Sequence, residues 1–558
     1  MGRCRRKTAI VAGALAGAML MSSCTASSRS PDREAAPSRD ATGDRGRTWM
    51  RAGCDLDLEF LRRIRRGFFP GRSPDLIMVP REPHFFGSVE TSHSGPWDYL
   101  QRVPLVFYGP GFIRSQGEIS PDTEVTVADL APTLADLLDL EWPDDRAGRA
   151  IPEVLVPADD RPGDPKVIVV IAWDGGGWNV LEQWPQSWPF LRKLMERGTS
   201  VRNAIVGSSP SVTPTIHATI GTGTFPRQHG IIDIPVRDGD KIVGSYDGRT
   251  PKYLRVPTLA DLHDASVDNA AKVGIFSYKA WHWGMMGHGA YIDGGDKDIA
   301  VLAERTAGNL LTNERWYSLP SYLHDVPGFE EDLRAVDSED GKLDGAWMGH
   351  DVLHDPAARR ETPVWVRYQT RLIEALLEEE RFGEDDVPDL FFTNYKQIDE
   401  IGHSFNMVNP ETREIIAHTD EALSRLVSFL DRKVGKRRWV LAVTADHGMT
   451  PDPSTTGAWA LRMERMKEDL GDHFEVDPEE LLTEHRVTGL WFDKDVLRQE
   501  GITVAQIANF LLGYTIGENS PYEEIPREYR DRVDETVFDA AFPSKRLNEV
   551  WRCATRKG

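Results

Sequence analysis

Three short segments set carboxylates and imidazoles together in patterns that suit a metal ion. Ala445-Asp446-His447-Gly448-Met449 puts Asp446 beside His447, offering a hard oxygen and an imidazole nitrogen, a pair suited to zinc. Asp399 and His403 stand four residues apart and can converge on one ion from one turn of chain. Asp174 precedes Gly175-Gly176-Gly177, whose glycines let backbone come close to a bound ion or phosphate. Each segment alone has a plainer reading, as a helix cap beside a surface His, an i,i+4 salt link or a turn. Between them runs Pro210-Ser211-Val212-Thr213-Pro214-Thr215-Ile216-His217, rich in hydroxyls. Metal coordination can activate a hydroxyl without a general base, although such a stretch is as readily a capped loop.

The elements around these segments alternate. Leu76–Val79, Val103–Tyr108, Val167–Ala172, Asp389–Thr393 and Trp439–Thr444 are short apolar runs rich in β-branched residues, expected as buried parallel strands. Asp129–Leu138 and the long segment opening at Asn409-Pro410-Glu411 carry helical apolar stripes. The expected fold is α/β, a mostly parallel central sheet sandwiched by helices, with an inserted subdomain at about 234–387. In such sheets sites collect at the carboxyl ends of strands, where all three metal-type segments fall. The 558 residues and 40% hydrophobic content allow one large catalytic domain. A formal net charge of −22 makes nucleic-acid polymers and anionic membrane surfaces poor partners.

The amino end is of another kind. Arg3, Arg5, Arg6 and Lys7 precede an apolar run from Thr8 to Met21, shorter than the roughly 20 residues of a membrane span. Leu20-Met21-Ser22-Ser23-Cys24 resembles a bacterial lipobox. Residues 1–24 read as a signal with Cys24 as the lipidation site, and 25–48 as a flexible tether. The chain is expected to be exported and lipid-anchored to the outer face of the bacterial cell membrane, or else secreted. Without residues 1–48 the net charge of the body is −27.

Taken together, Asp174-Gly, Thr213 with Thr222-Gly223-Thr224-Phe225-Pro226-Arg227-Gln228-His229-Gly230, Asp399-x-x-Gly-His403 and Asp446-His447-Gly-Met resemble the alkaline phosphatase superfamily, most closely its type I phosphodiesterase/nucleotide pyrophosphatase branch. The resemblance implies that Thr213 is a nucleophile forming a covalent phosphothreonine. It implies two zinc ions, one held by Asp174, Asp446, His447 and Thr213, the other by Asp399, His403 and a further His. The implied substrate is a small phosphorylated molecule, with a nucleotide or a lipid head group among the candidates. That further His is found upstream, at His93 in Glu90-Thr91-Ser92-His93-Ser94-Gly95, which resembles a carboxy-terminal segment of the family. The resemblance therefore implies a circular permutation: 49–155 is the family's usual C-terminal part, 156–165 a linker between old ends, and 166–558 the main part. Cys54 and Cys553 would then be neighbours at the new termini and are expected to form a disulfide.

Two departures concern substrate binding. No Asn follows His229-Gly230, and the segment after Thr213 reads Thr215-Ile216-His217. His217, Trp281 and His282 are candidate substrate contacts, the last two by stacking on a leaving group or, alternatively, as part of a Trp-rich core. A third ion on His282, His288 and Asp293 is a further expectation. Other activities on the same scaffold are phosphomonoesterase, phosphonate hydrolase and phosphotransferase. A solute-binding lipoprotein would share the signal and tether but has no need of the metal-type residues. The sequence leaves the oligomeric state open.

Overall fold

Apolar β-branched runs become strands buried on both faces. The structure is a computed structural model that describes residues 48–558 apart from 88, 94, 304–308, 356–358, 360, 521–524 and 558. Cys24, the signal and all of the tether but Thr48 lie outside the described residues. The strands that matter for the site are β1 (Leu76–Pro80), β2 (Leu105–Tyr108), β3 (Gly117–Ile119), β4 (Val167–Trp173), β5 (Thr199–Val201), β6 (Val273–Ser277), β7 (Ile299–Ala303), β8 (Leu310–Leu311), β9 (Asp389–Tyr395), β10 (Trp439–Thr444), β11 (Leu482–Arg486), β12 (Gly489–Phe492) and β13 (Phe538–Pro543). A nine-stranded sheet runs β8-β7-β6-β9-β4-β10-β2-β5-β3. Its central five strands, β7-β6-β9-β4-β10, are parallel, with Val167 of β4 in register with Asp389 and Trp439 on either side.

Alternation along β4 divides the interior. Val167, Val169, Ile171 and Trp173 enter one apolar core, while Ile168, Val170 and Ala172 enter another on the opposite face. The helices used below are α1 (Trp49–Cys54), α2 (Leu130–Asp136), α3 (Thr213–Thr222), α4 (Leu259–Ser266), α5 (Pro363–Glu379), α6 (Gln397–Phe405), α7 (Pro410–Leu430) and α8 (Leu547–Ala554). Helices α5 and α7 cover the first face through Leu372, Ile373, Leu376, Ile415, Ile416 and Leu423. Helices α2, α3 and α4 cover the second through Leu130, Leu134, Ile216, Ile220 and Leu259. The fold is thus the expected α/β sandwich of a mostly parallel sheet.

Two expectations change in detail. Strands β1 and β2 are antiparallel to their neighbours, and β1 lies in a separate antiparallel sheet of order β11-β12-β1-β13. An apolar run reports burial on both faces and carries no information about direction. The segment 234–387 is also more than an inserted subdomain, because it supplies β6 and β7 to the main sheet. Residues 49–155 are woven through both sheets by β1 and β2 and add α2 to the second core.

Cys54, at the end of α1, is bonded to Cys553 in α8, a closure between residues 499 apart in sequence. Cys54 is buried beside the third core, which holds Ala52, Val550 and Ala554. Changing both cysteines to serine should lower unfolding free energy by about 2–4 kcal/mol in denaturant titrations, with far-UV circular dichroism unchanged at zero denaturant.

Candidate active site

The carboxyl ends of the parallel strands carry the chemistry. Asp174 follows β4, Lys396 and Asp399 follow β9, Asp446 and His447 follow β10, and Lys279 and His282 follow β6. The loops are drawn together by glycine: Gly175 has φ +75°, and a Cβ there would lie 2.9 Å from Asp399 Cα. The Gly175 N–H donates to Asp446 Oδ1 at 3.0 Å. Helix α3 begins at Thr213, so the nucleophile candidate sits at the positive end of a ten-residue helix and is only 3% exposed.

Five imidazoles are aimed in the same way. The Nδ1 of His93, His403, His447, His217 and His282 lies 2.8–3.0 Å from the backbone carbonyls of Ser211, Thr91, Gly448, Thr213 and Lys279 respectively. A carbonyl can only accept, so Nδ1 carries the hydrogen and Nε2 is left with its lone pair. The Nε2 of His93 and His403 face Asp399 Oδ1 at 3.4 and 3.3 Å. The Nε2 of His447 lies 3.4 Å from Asp446 Oδ2 and 3.6 Å from both Asp174 Oδ1 and Asp399 Oδ1. Three groups able to hold a metal ion result: Asp174/His217/His282, and the pair Asp174/Asp446/His447 and His93/Asp399/His403. The latter two adjoin, because the His93 and His447 rings stack with centroids 3.5 Å apart.

The donor set fits cations at these groups. Asp399 Oδ1, Asp446 Oδ2, His447 Nε2 and His217 Nε2 are buried without a hydrogen-bond partner, an arrangement that is costly for a site holding protein atoms alone. Burial, with Asp446 nearby, pushes the Asp174 carboxyl well above its usual range. Burial likewise pushes Asp446 up to about 6 and holds His447 down to about 3. Asp399 is different: burial opposes its charge, but the Lys396 ammonium holds it well below the carboxylate range.

Lys396 escaped the sequence reading. It is buried, and its Nζ donates to Asp174 Oδ1 at 2.8 Å and to Thr213 Oγ1 at 3.1 Å, and pairs with Asp399 Oδ2 at 2.5 Å. The rule that sites gather at strand ends would have found it in Asn394-Tyr395-Lys396, had it been applied to cations as well as to metal ligands.

His217 and His282, expected as substrate contacts, are fully buried and grouped with Asp174. His282 Nε2 is 3.2 Å from Asp174 Oδ2, and the two rings meet edge to face at 4.6 Å. Trp281 is half-buried beneath Lys279, which pairs with Glu400 at 2.9 Å. His288 bonds Asp261 at 2.7 Å, while His282 faces Asp174, so His282, His288 and Asp293 do not assemble as a third ion site. His229, prominent in the sequence motif, stands outside the candidate ligand groups. It accepts the Ile231 N–H on Nδ1, and its Nε2 lies 3.1 Å from Thr219 Oγ1 on α3.

Buried carboxylates and imidazoles beside a hydroxyl at a helix terminus are the equipment of a phosphoester hydrolase. Residues 168–537 match the model of the Type I phosphodiesterase / nucleotide pyrophosphatase family, and the chain belongs to that family. It is 21% identical over 405 residues to alkaline phosphatase PafA of Elizabethkingia meningoseptica, across 62% of this chain and 72% of that one. Alkaline phosphatase PhoV of Synechococcus elongatus is 23% identical over 336 residues, across 52% of this chain and 60% of PhoV. A crystal structure of wild-type PafA shares the fold, with a TM-score of 0.52 at 18% identity over 62% of this chain and 76% of PafA.

His229 offers a test of stability. Burial, reinforced by Arg72 and Arg146, holds its pKa near 3 against an ordinary 6.5. The neutral ring's contribution is complete above pH 6.5 and is lost as pH falls toward 3, because unfolding then takes up a proton. Urea titrations at pH 7 and pH 5 should show wild type losing about 2 kcal/mol more than His229→Gln across that window. Equal slopes would mean that His229 is not held neutral.

Proposed function

We propose that the protein is a metal-dependent phosphoric ester hydrolase, phosphodiesterase/nucleotide pyrophosphatase-like, in which Thr213 is the nucleophile. Two zinc ions would be held by Asp174, Asp446 and His447, with Thr213, and by His93, Asp399 and His403. The reading is carried by Thr213 Oγ1, which sits at the positive end of α3, is hydrogen-bonded by Lys396 Nζ and lies beside groups with orphaned inward atoms. Bound zinc supplies Lewis acidity at the phosphoryl oxygens. The chain's own residues do the rest. The Lys396 ammonium favours an anionic Thr213 oxygen and fixes its direction. The amino end of α3 and Lys396 together supply positive field where no Asn follows His229-Gly230. Thr213 Oγ attacks phosphorus, the ester oxygen leaves, and water cleaves the phosphothreonine to restore the hydroxyl.

Charge favours this reading. Asp174, Asp399 and Asp446 face one ammonium, which leaves the buried cluster negative and hostile to phosphate. Two dications reverse that sign. With zinc-loaded protein and bis-p-nitrophenyl phosphate, Thr213→Ala should lower kcat/KM by on the order of 10³-fold, about 4 kcal/mol of transition-state stabilisation. A chelator should abolish turnover, and His93→Ala should reduce bound zinc from two equivalents toward one. Undiminished turnover in Thr213→Ala would overturn the assignment. A second reading, phosphomonoesterase, is favoured by Lys396, an extra cation suited to a dianionic phosphoryl group, and by the alkaline phosphatase relatives. Under it p-nitrophenyl phosphate outruns the diester, and Lys396→Met narrows the ratio. A phosphonate monoester turned over faster than either would favour the phosphonate hydrolase alternative.

We further propose that the chain is circularly permuted. In support, the family match begins at 168, yet β2 and His93 from before it complete the sheet and the second metal group. A chain cut within 156–165, with its present ends joined through a short linker, should fold and keep its activity; loss of both would count against permutation. Export and lipid anchoring through Cys24 are proposed from the N-terminal sequence, and labelling with radioactive palmitate tests them directly.

A further inference from the structure

A second acidic cluster lies away from the candidate active site, between α4 and the loop that feeds β7. Asp264 on the last turns of α4 and Asp296 and Asp298 in the loop bring carboxylate oxygens within 4.8 Å of one another. Asp264 and Asp298 border a cavity of about 300 Å³ whose lining also includes Asp261 and Asp293. Asp264 and Asp298 are more than nine-tenths buried, at 5% and 7% exposure, whereas Asp296 is open to solvent.

Among the described residues no Lys or Arg pairs with Asp264, Asp296 or Asp298, and the Lys297 ammonium is engaged by the Glu314 carbonyl. Asp264 Oδ1 is buried, lines the cavity and has no hydrogen-bond partner. It also stands near the carboxyl end of α4, where the helix dipole opposes a negative charge. Burial, with Asp296 beside it, pushes the Asp264 carboxyl up to about 7, and burial raises Asp298 further above the usual range. Either a proton or a cation must relieve such a cluster.

We propose that Asp264, Asp296 and Asp298 bind a hard divalent cation, calcium by preference, that clasps the end of α4 to the loop entering β7. All-oxygen carboxylate donors select calcium or magnesium over softer metals. The roomy cavity and its open side suit calcium, which accepts irregular geometry and six to eight ligands with water completing the shell, better than magnesium's rigid octahedron. The clasp spans the segment that carries β6 and His282. It would therefore steady the ring that faces Asp174, at a distance from the reacting groups.

The test is calcium binding to the zinc-saturated full chain, measured by equilibrium dialysis with radioactive calcium in otherwise calcium-free buffer. One equivalent should bind with Kd on the order of 10⁻⁵ to 10⁻³ M. Asp264→Asn and Asp298→Asn should each weaken it at least tenfold while zinc content stays unchanged, and magnesium should compete poorly. Thermal melting gives a second readout. Calcium should raise the midpoint of wild type but not of Asp298→Asn. Without calcium that variant should melt at or above wild type, because a repulsive charge has been removed. Absence of bound calcium at about 1 mM, or equal binding in both variants, would overturn the proposal and leave a shared proton as the cluster's relief.

Discussion

One lysine holds together what would otherwise repel. The Lys396 ammonium contacts Asp174, Asp399 and Thr213 and is buried with them. Buried like charges at such separations cost several kcal/mol unless a cation compensates. The chain accepts that cost at the mouth of its most regular element, a run of five parallel strands. Rigid strands keep the carboxylates from drifting apart to relieve their repulsion, and the same rigidity fixes the donors for ions.

The imidazoles show how backbone can do work usually credited to side chains. Each of five His rings is fixed by a main-chain carbonyl, so no additional buried carboxylate is spent on orienting them. That economy matters in a site already rich in negative charge. It also ties ring orientation to the path of the loops, which the glycines after Asp174 and the close contact with Asp399 keep tight.

Much of this was legible in the sequence, for reasons that can be named. The strands before Asp174, Asp399 and Asp446 are apolar on both faces, so their period and ends were plain, and ligands at those ends could be read as a set. His93 was recoverable because its neighbours resemble a segment normally found elsewhere in the family. Strand direction in β1 and β2 was not legible, since burial on both faces looks the same in either sense. Strand β6 was hidden by the Trp- and His-rich stretch after it. Lys396 was missed because a buried ammonium has no motif of its own; its meaning comes only from the carboxylates that surround it. His282 was noticed as an aromatic surface and as a ligand beside His288 and Asp293; its partner Asp174, 108 residues earlier, was not foreseen.

The bond between Cys54 and Cys553 turns almost the whole described chain into a covalent ring. Every strand and helix that supplies the candidate site lies within that ring. A single proteolytic nick in an exposed loop, such as the surface run at 158–161, would thus leave one molecule rather than two fragments. Separation would need either a second cut or a reductant. In an oxidising setting, damage to the backbone and loss of the assembled protein become distinct events.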